Sequence, residues 1–330
     1  MGELAFDCSF KKANFSQRAN FANTIFLGCT DFKSVIFSGD VDFLGASFFG
    51  GVDFKDVEFL LGATFWYATF SRGAFFQDSI FMGDAGFMKA TFSGWTHFTG
   101  AKFSRGANFS GAIFTSTDFL NVTFKGPSEF INSEMKGETS FARVIFNKEP
   151  PRFFGAKLHQ GTVWRGIVWP PTPKGKDEAG VFVDAYACLK LEMDRLKKHE
   201  DELKFFSLEL RSLRILRESK FRRSGIPIAL YGIICDFGRS YIRPLIGLFV
   251  VAAIGALIFL PFKILSPWQS LGLSFANTFN VFGFRKDYFD AATISNLPDL
   301  LKVLSAVQTI LGTILLFLVG LGIRNRFRMR

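Results

Sequence analysis

The chain has 330 residues, of which 45 are Phe against five Tyr and five Trp, with 31 Gly. That bias excludes an ordinary mixed core and points to one buried position used many times. The formal net charge of +10 is uneven: residues 1–150 carry 13 basic and 15 acidic side chains and residues 151–330 carry 26 and 14, so no strongly acidic half exists and the positive excess lies in the second.

From Phe10 the aromatic recurs at positions 15, 21, 26, 32, 37, 43 and 48, and continues to Phe130 in steps of five and six that alternate for most of this length. Met135 takes the next place, and Phe141 and Phe146 follow. Two residues before each Phe stands a small or β-branched residue, among them Ala13, Ala19, Thr24, Val35, Val52 and Val144. A helix would turn by about 500° or 600° per step, so the rings would spiral round its axis. A single long strand fails as well, because odd steps flip the side chain to the other face. The spacing fits a chain that turns after every unit, with four sides closing a coil of about 22 residues and Phe lying over Phe in successive coils.

The units "ANFSQ", "ANFAN", "TDFKS", "VDFKD", "ANFSG" and "TDFLN" resemble the pentapeptide-repeat family. The resemblance implies an all-β, right-handed quadrilateral β-helix over residues 1–150, with the extra residue of alternate units bulging at the corners where Gly is found. A repeat of this kind is read as structural first. Some members of the family resemble DNA and act on topoisomerases, which needs a strongly acidic surface. A near-neutral first half makes that the poorest functional reading, and no nucleic acid partner is expected.

The repeat ends near "NKEPPRFFGAKLHQGTVWRGIVWPPTPKGKDEAG", where residues 151–176 read as a capping coil and Pro-rich linker over the open end of the β-helix. Residues 177–223 contain no Pro and are rich in helix formers. Phe182, Tyr186, Leu189, Met193 and Leu196 make one apolar seam, and Leu203, Phe206, Leu210 and Leu213 a second. The charged "KKHED" between the seams favours a cytoplasmic helical hairpin over one long helix, and the seams serve either packing within the chain or contact between subunits.

Residues 224–330 read as an all-α transmembrane pore-like domain. Arg243 precedes "PLIGLFVVAAIGALIFLPF", a first span at about 244–262, and "LLKVLSAVQTILGTILLFLVGLGI" gives a second at about 297–323. Arg239 and Arg243 flank the first, while Arg324, Arg326, Arg328 and Arg330 follow the second. The positive-inside rule then puts both termini in the cytoplasm of a multi-pass protein of the inner (plasma) membrane. Scattered cysteines (Cys8, Cys29, Cys188, Cys235) without CxxC, and a start "MGELAFDCSFKK" without signal-peptide features, agree with a reducing compartment. Between the spans, Ser266 as cap and Pro267 as first helical residue open a short helix at about 266–280, too short to cross and too apolar for a loop. It reads as re-entrant.

Span, re-entrant helix, loop and span resemble the two-helix pore module of tetrameric ion channels, in which the pore helix leads into a TVGYG filter. Laid on that pattern, "SFANTFNVFGF" offers a filter-like loop of Thr278, Asn280, Val281, Phe282, Gly283, Phe284, Arg285 and Lys286. Val281 matches the filter Val, but Phe282 and Phe284 stand where Gly is needed, and Arg285 and Lys286 follow. The resemblance therefore implies a homotetramer passing inorganic ions through a weakly selective or non-potassium-selective pore. In the second span Ser305, Gln308, Thr309, Gly312 and Thr313 form a polar stripe, which serves either pore lining or helix packing. Gly312 and Gly320 are hinge candidates.

Enzyme chemistry is not expected: His97, His159 and His199 lie far apart and no nucleophile or phosphate-binding motif is present, so no catalytic residue, metal or other cofactor is assigned. The leading expectation is an oligomeric ion channel in the lipid bilayer carrying a cytoplasmic pentapeptide-repeat domain. Its rival is a membrane-anchored scaffold or sensor whose β-helix presents a surface to an unidentified cytoplasmic protein.

Overall fold

The computed structural model describes residues 3–4, 6–217, 226–262, 266–280, 283–284 and 297–328. They form two compact units, Met1–Leu216 and Arg217–Arg330.

The first unit is a β-solenoid followed by two helices. Its strands are mostly two residues long, and every pairing is parallel, from one coil to the next. Ile25 and Phe26, for instance, lie beside Ser47 and Phe48. Short strands suffice because the rings set the register. Phe54 stacks on Phe76 with centroids 4.8 Å apart, Phe65 on Phe87 at 4.8 Å, and Phe70 on Phe92 at 4.7 Å, each pair within 10° of parallel. The strand spacing of about 4.8 Å therefore matches the stacking distance of the rings. Rings of neighbouring columns meet edge to face, as Phe65 and Phe76 do at 5.7 Å and 90°. The small partners Val57, Ala68, Ala90 and Ala101 fill what remains and are fully buried. Each buried Phe contributes about 1.5–3 kcal/mol.

Two kinds of corner alternate. In the five-residue steps the residue two after Phe takes a left-handed conformation, as at Asn23 (φ 55°), Asp56 (φ 56°) and Asn132 (φ 54°). In the six-residue steps Gly serves close approach instead. A Cβ on Gly50 would run into the carbonyl of Gly28 one coil below, and one on Gly94 into that of Arg72. The expected alternation of corners is present, and backbone-to-backbone contact explains the glycine.

The repeat outlasts its sequence signature. Arg152, Lys157, Val163 and Val168 bridge in parallel to Glu129, Glu134, Ser140 and Ile145, and Phe153, Trp164 and Trp169 stack on Phe130, Phe141 and Phe146. The piece expected to cover the open end is thus itself a coil, built with Trp in place of Phe. The cover is the helical pair α1 (Lys176–Arg195) and α2 (His199–Arg217). Lys190 ties them into a hairpin through Glu209 at 2.7 Å. Phe182, Tyr186, Leu189 and Met193 pack on the last coil, and Phe205 meets Trp164 and Trp169 edge-on at 5.8 and 5.3 Å.

Sequence periodicity misjudged α2. Its buried face runs through Phe205 and Ser212, with Leu208 packed on the core, while Leu203, Phe206, Leu210 and Leu213 remain half-buried. Reaching the two Trp rings requires that rotation. Polar contacts seal the joint: the Leu158 N–H donates to Glu192 at 2.9 Å, Arg195 donates to the Leu158 carbonyl at 3.0 Å, and the Lys198 ammonium donates to the Thr162 carbonyl. Burial pushes the Glu192 carboxyl up, but the hydrogen bonds from Arg195 and Leu158 outweigh it and hold it below the usual range.

If the ring columns carry this unit, Phe76→Ala costs about 3–5 kcal/mol in chemical unfolding followed by circular dichroism, while Ser93→Ala on the exposed surface stays within about 0.5 kcal/mol.

Candidate functional site

The second unit is built from α3 (Ile226–Cys235), α4 (Ile242–Phe259), α5 (Pro267–Thr278) and α6 (Asp299–Arg328). α4 and α6 are long and apolar enough to cross a membrane. They run antiparallel: Gln308 of α6 reaches the Val251 carbonyl of α4, and Asn325, near the end of α6, donates to the Gly238 carbonyl at 3.0 Å. The same end gathers basic side chains, where Arg326 lies over the Tyr241 ring at 5.6 Å.

A capping box starts α5. The Gln269 N–H donates to Ser266 Oγ at 3.2 Å, and the Ser266 N–H donates to Gln269 Oε1 at 2.9 Å. The helix has 12 residues. At about 1.5 Å per residue it falls well short of a bilayer's hydrocarbon core of about 30 Å. Midway along it Leu273 packs with Phe259, Leu297 and Leu301, at the end of the spans away from the basic cluster. Its last residue, Thr278, abuts Gly312 midway along α6, where a Cβ would strike the Thr278 carbonyl.

The faces of α5 are reversed relative to a soluble helix. Ser270, Ser274, Asn277 and Thr278 are buried, whereas Trp268, Leu271 and Phe275 are exposed, Trp268 by 82%. The buried polar groups form a network with both spans. Ser274 Oγ donates to the Ala252 carbonyl at 2.6 Å, and Asn277 Nδ2 donates to Ser305 Oγ at 2.6 Å. Gln308 Nε2 is 3.0 Å from both the Ser274 carbonyl and Thr278 Oγ1. Gly255 makes room, since a Cβ there would collide with Gln308 and Ser274. Two buried atoms of α5, Ser270 Oγ and Asn277 Oδ1, have no hydrogen-bond partner among the described residues.

The polar stripe of α6 therefore splits. Ser305, Gln308 and Gly312 are buried and engaged with α5, the packing alternative for those three positions. At about 100° per residue, Thr309, Thr313 and Gly320 fall on the adjoining face. Thr309 is half-buried and donates to the Ser305 carbonyl, Thr313 is exposed and donates to that of Thr309, and Gly320 is exposed with open space beside it. Within the filter-like loop, Thr278 belongs to the buried network, Asn280 accepts from the Gly283 N–H at 2.9 Å, Gly283 has φ 83°, and Phe284 lies 6.3 Å from the Phe275 ring. Val281, Phe282, Arg285 and Lys286 lie outside the described residues. Of the network, Thr278, Ser305 and Gln308 were singled out from sequence, whereas Ser270, Ser274 and Asn277 were not. Their signal was a polar i, i+4, i+7 pattern (Ser270, Ser274, Asn277) within an otherwise apolar helix.

Gln308→Leu, which removes the central donor at nearly constant volume, lowers the unfolding free energy in detergent by about 1–2 kcal/mol. Gly255→Val does worse, and Gly320→Ala, with nothing in its way, is neutral; equal melting of all three variants and the parent chain would contradict the network's role.

A family model described as pentapeptide repeats (9 copies) matches residues 10–58 and 89–134, both inside the solenoid. No curated protein matches the chain. The first unit is thus a pentapeptide-repeat β-solenoid, and the second carries two candidate membrane spans.

Proposed function

We propose that the chain is a subunit of an oligomeric membrane pore, weakly selective or not selective for potassium, that carries a cytoplasmic pentapeptide-repeat solenoid. One observation carries the reading: α5, a helix too short to span, buries its polar face against both candidate spans and turns Trp268, Leu271 and Phe275 outward. Apolar side chains also cover the outer faces of α4 and α6, among them Phe249, Ile254, Leu257, Ile310, Ile314 and Phe317. In water such a surface is costly; in lipid it is the favourable arrangement. A membrane-anchored scaffold needs no such helix between its spans.

One copy of two spans and a short helix cannot enclose a conduit, so several copies, four by resemblance to tetrameric channels, surround it. Thr309, Thr313 and Gly320 are the α6 positions left for lining once Ser305, Gln308 and Gly312 are spent on packing. The basic residues Arg239, Arg243, Arg324 and Arg326 at one end of the spans favour that end, with both termini, in the cytoplasm of an inner-membrane protein.

The scaffold reading draws on a different feature, the exposed aromatics Phe49, Tyr67 and Trp95 on the solenoid surface, which would suit a protein partner.

Flux of Na⁺, K⁺ and Cl⁻ through the purified chain in liposomes separates the two. The pore predicts currents under ion gradients with little preference for K⁺, and a changed conductance in Thr313→Phe. Silence from folded oligomers would overturn it in favour of the scaffold.

A further inference from the structure

The turn between α1 and α2 brings together Asp194, His199 and Glu202, whose ligating atoms all lie within 4.8 Å of one another. We propose that these three side chains form a site for a divalent transition-metal ion, with Zn²⁺ as the reference case, that pins the helical cover to the end of the solenoid. The assignment departs from the expectation that the chain holds no metal, because a single imidazole and two carboxylates, rather than a histidine or cysteine cluster, make up the ligand set.

Geometry supports it first. Zinc bonds to N and O of about 2.0–2.2 Å place neighbouring ligand atoms about 3.0–3.5 Å apart in a tetrahedron. His199 Nδ1 and Glu202 Oε2 are already 3.1 Å apart, with side chains only 19% and 22% exposed. They occupy successive turns of one helix face (i, i+3), so the backbone holds them ready. Asp194 is exposed, and its ligating oxygen lies within 4.8 Å of the other two ligand atoms. Solvent would supply any remaining ligand.

Charge supplies a second argument. Asp194 lies in the last turn of α1, where the helix dipole disfavours a carboxylate, although Glu202 in the first turn of α2 is favoured by it. Residues 192–202 hold five acidic and three basic side chains, a local negative surplus in a chain of net charge +10. Of the basic groups, Arg195 is engaged with Glu192 and the Leu158 carbonyl, and Lys198 with the Thr162 carbonyl. A bound dication would neutralise the surplus and join the last turn of α1 to the first of α2. Those are the turns whose Glu192, Arg195 and Lys198 hold the last coil, so the ion would stiffen the cover that closes the ring columns.

The test is titration of the tag-free, chelator-treated full chain in detergent with ZnCl₂ by calorimetry, with MgCl₂ and Co²⁺ absorption alongside. One Zn²⁺ per chain is expected, with a raised melting temperature, a Co²⁺ spectrum of low coordination number and no comparable Mg²⁺ binding. His199→Gln and Asp194→Asn should each weaken Zn²⁺ by more than the about 10–100-fold typical of an outer partner. Far-UV circular dichroism confirms that the variants fold, and Ser93→Ala serves as the neutral comparison. Zn²⁺ binding that survives His199→Gln, equal binding of Mg²⁺, or no binding at millimolar Zn²⁺ would each overturn the site and leave an ordinary His199–Glu202 ion pair.

Discussion

Stacking of one phenyl ring on the next, at the same spacing as two paired strands, is the contact from which the first unit follows. Each column must advance by one strand spacing per coil, so the chain must return to the same place after about 22 residues, and it can do so only by turning sharply four times. The corners obey that demand in two ways, by left-handed residues such as Asn23 and Asp56 and by glycines such as Gly50 that let backbones touch. A column also needs an end. Here Trp164 and Trp169 widen the last layer, and the hairpin of α1 and α2 lays Tyr186 and Phe205 against them.

The second unit sorts its side chains in the opposite sense. Where the solenoid hides aromatics and shows Asp, Asn and Lys, the helices α4, α5 and α6 bury Ser, Asn and Gln beside a few apolar residues such as Phe259 and Leu273 and leave many Phe, Leu, Ile and Trp exposed. With the proposed bilayer as the second solvent, both arrangements express the same preference for removing apolar surface from water. The hydrogen bonds of Asn277 and Gln308 tie α5 to α6.

Much of this was legible in sequence, though unequally. The Phe spacing gives the solenoid, its coil length and its alternating corners, because a ladder of identical contacts leaves a strict period. Its extent was only partly legible: Trp164 and Trp169 replace Phe, and one step of seven residues from Phe146 to Phe153 breaks the period, so the last coil reads as a separate capping coil and linker. Ser266 and Pro267 announced the start of α5 through local capping chemistry alone. The choice between lining and packing for Ser305 and Gln308 depends on which helix lies opposite, a tertiary fact that spacing along α6 cannot carry. The same holds for α2, whose face is set by two Trp rings about forty residues upstream.

The account turns on α5 showing its apolar face to lipid. A nitroxide placed at Leu271 or Phe275, in a chain with its cysteines replaced and reconstituted in liposomes, reads this directly through collision with oxygen and with a water-soluble nickel chelate. Strong oxygen relaxation with little effect of the chelate, at both positions, is the predicted result. Free access of the chelate to either position would place α5 in water and contradict the account.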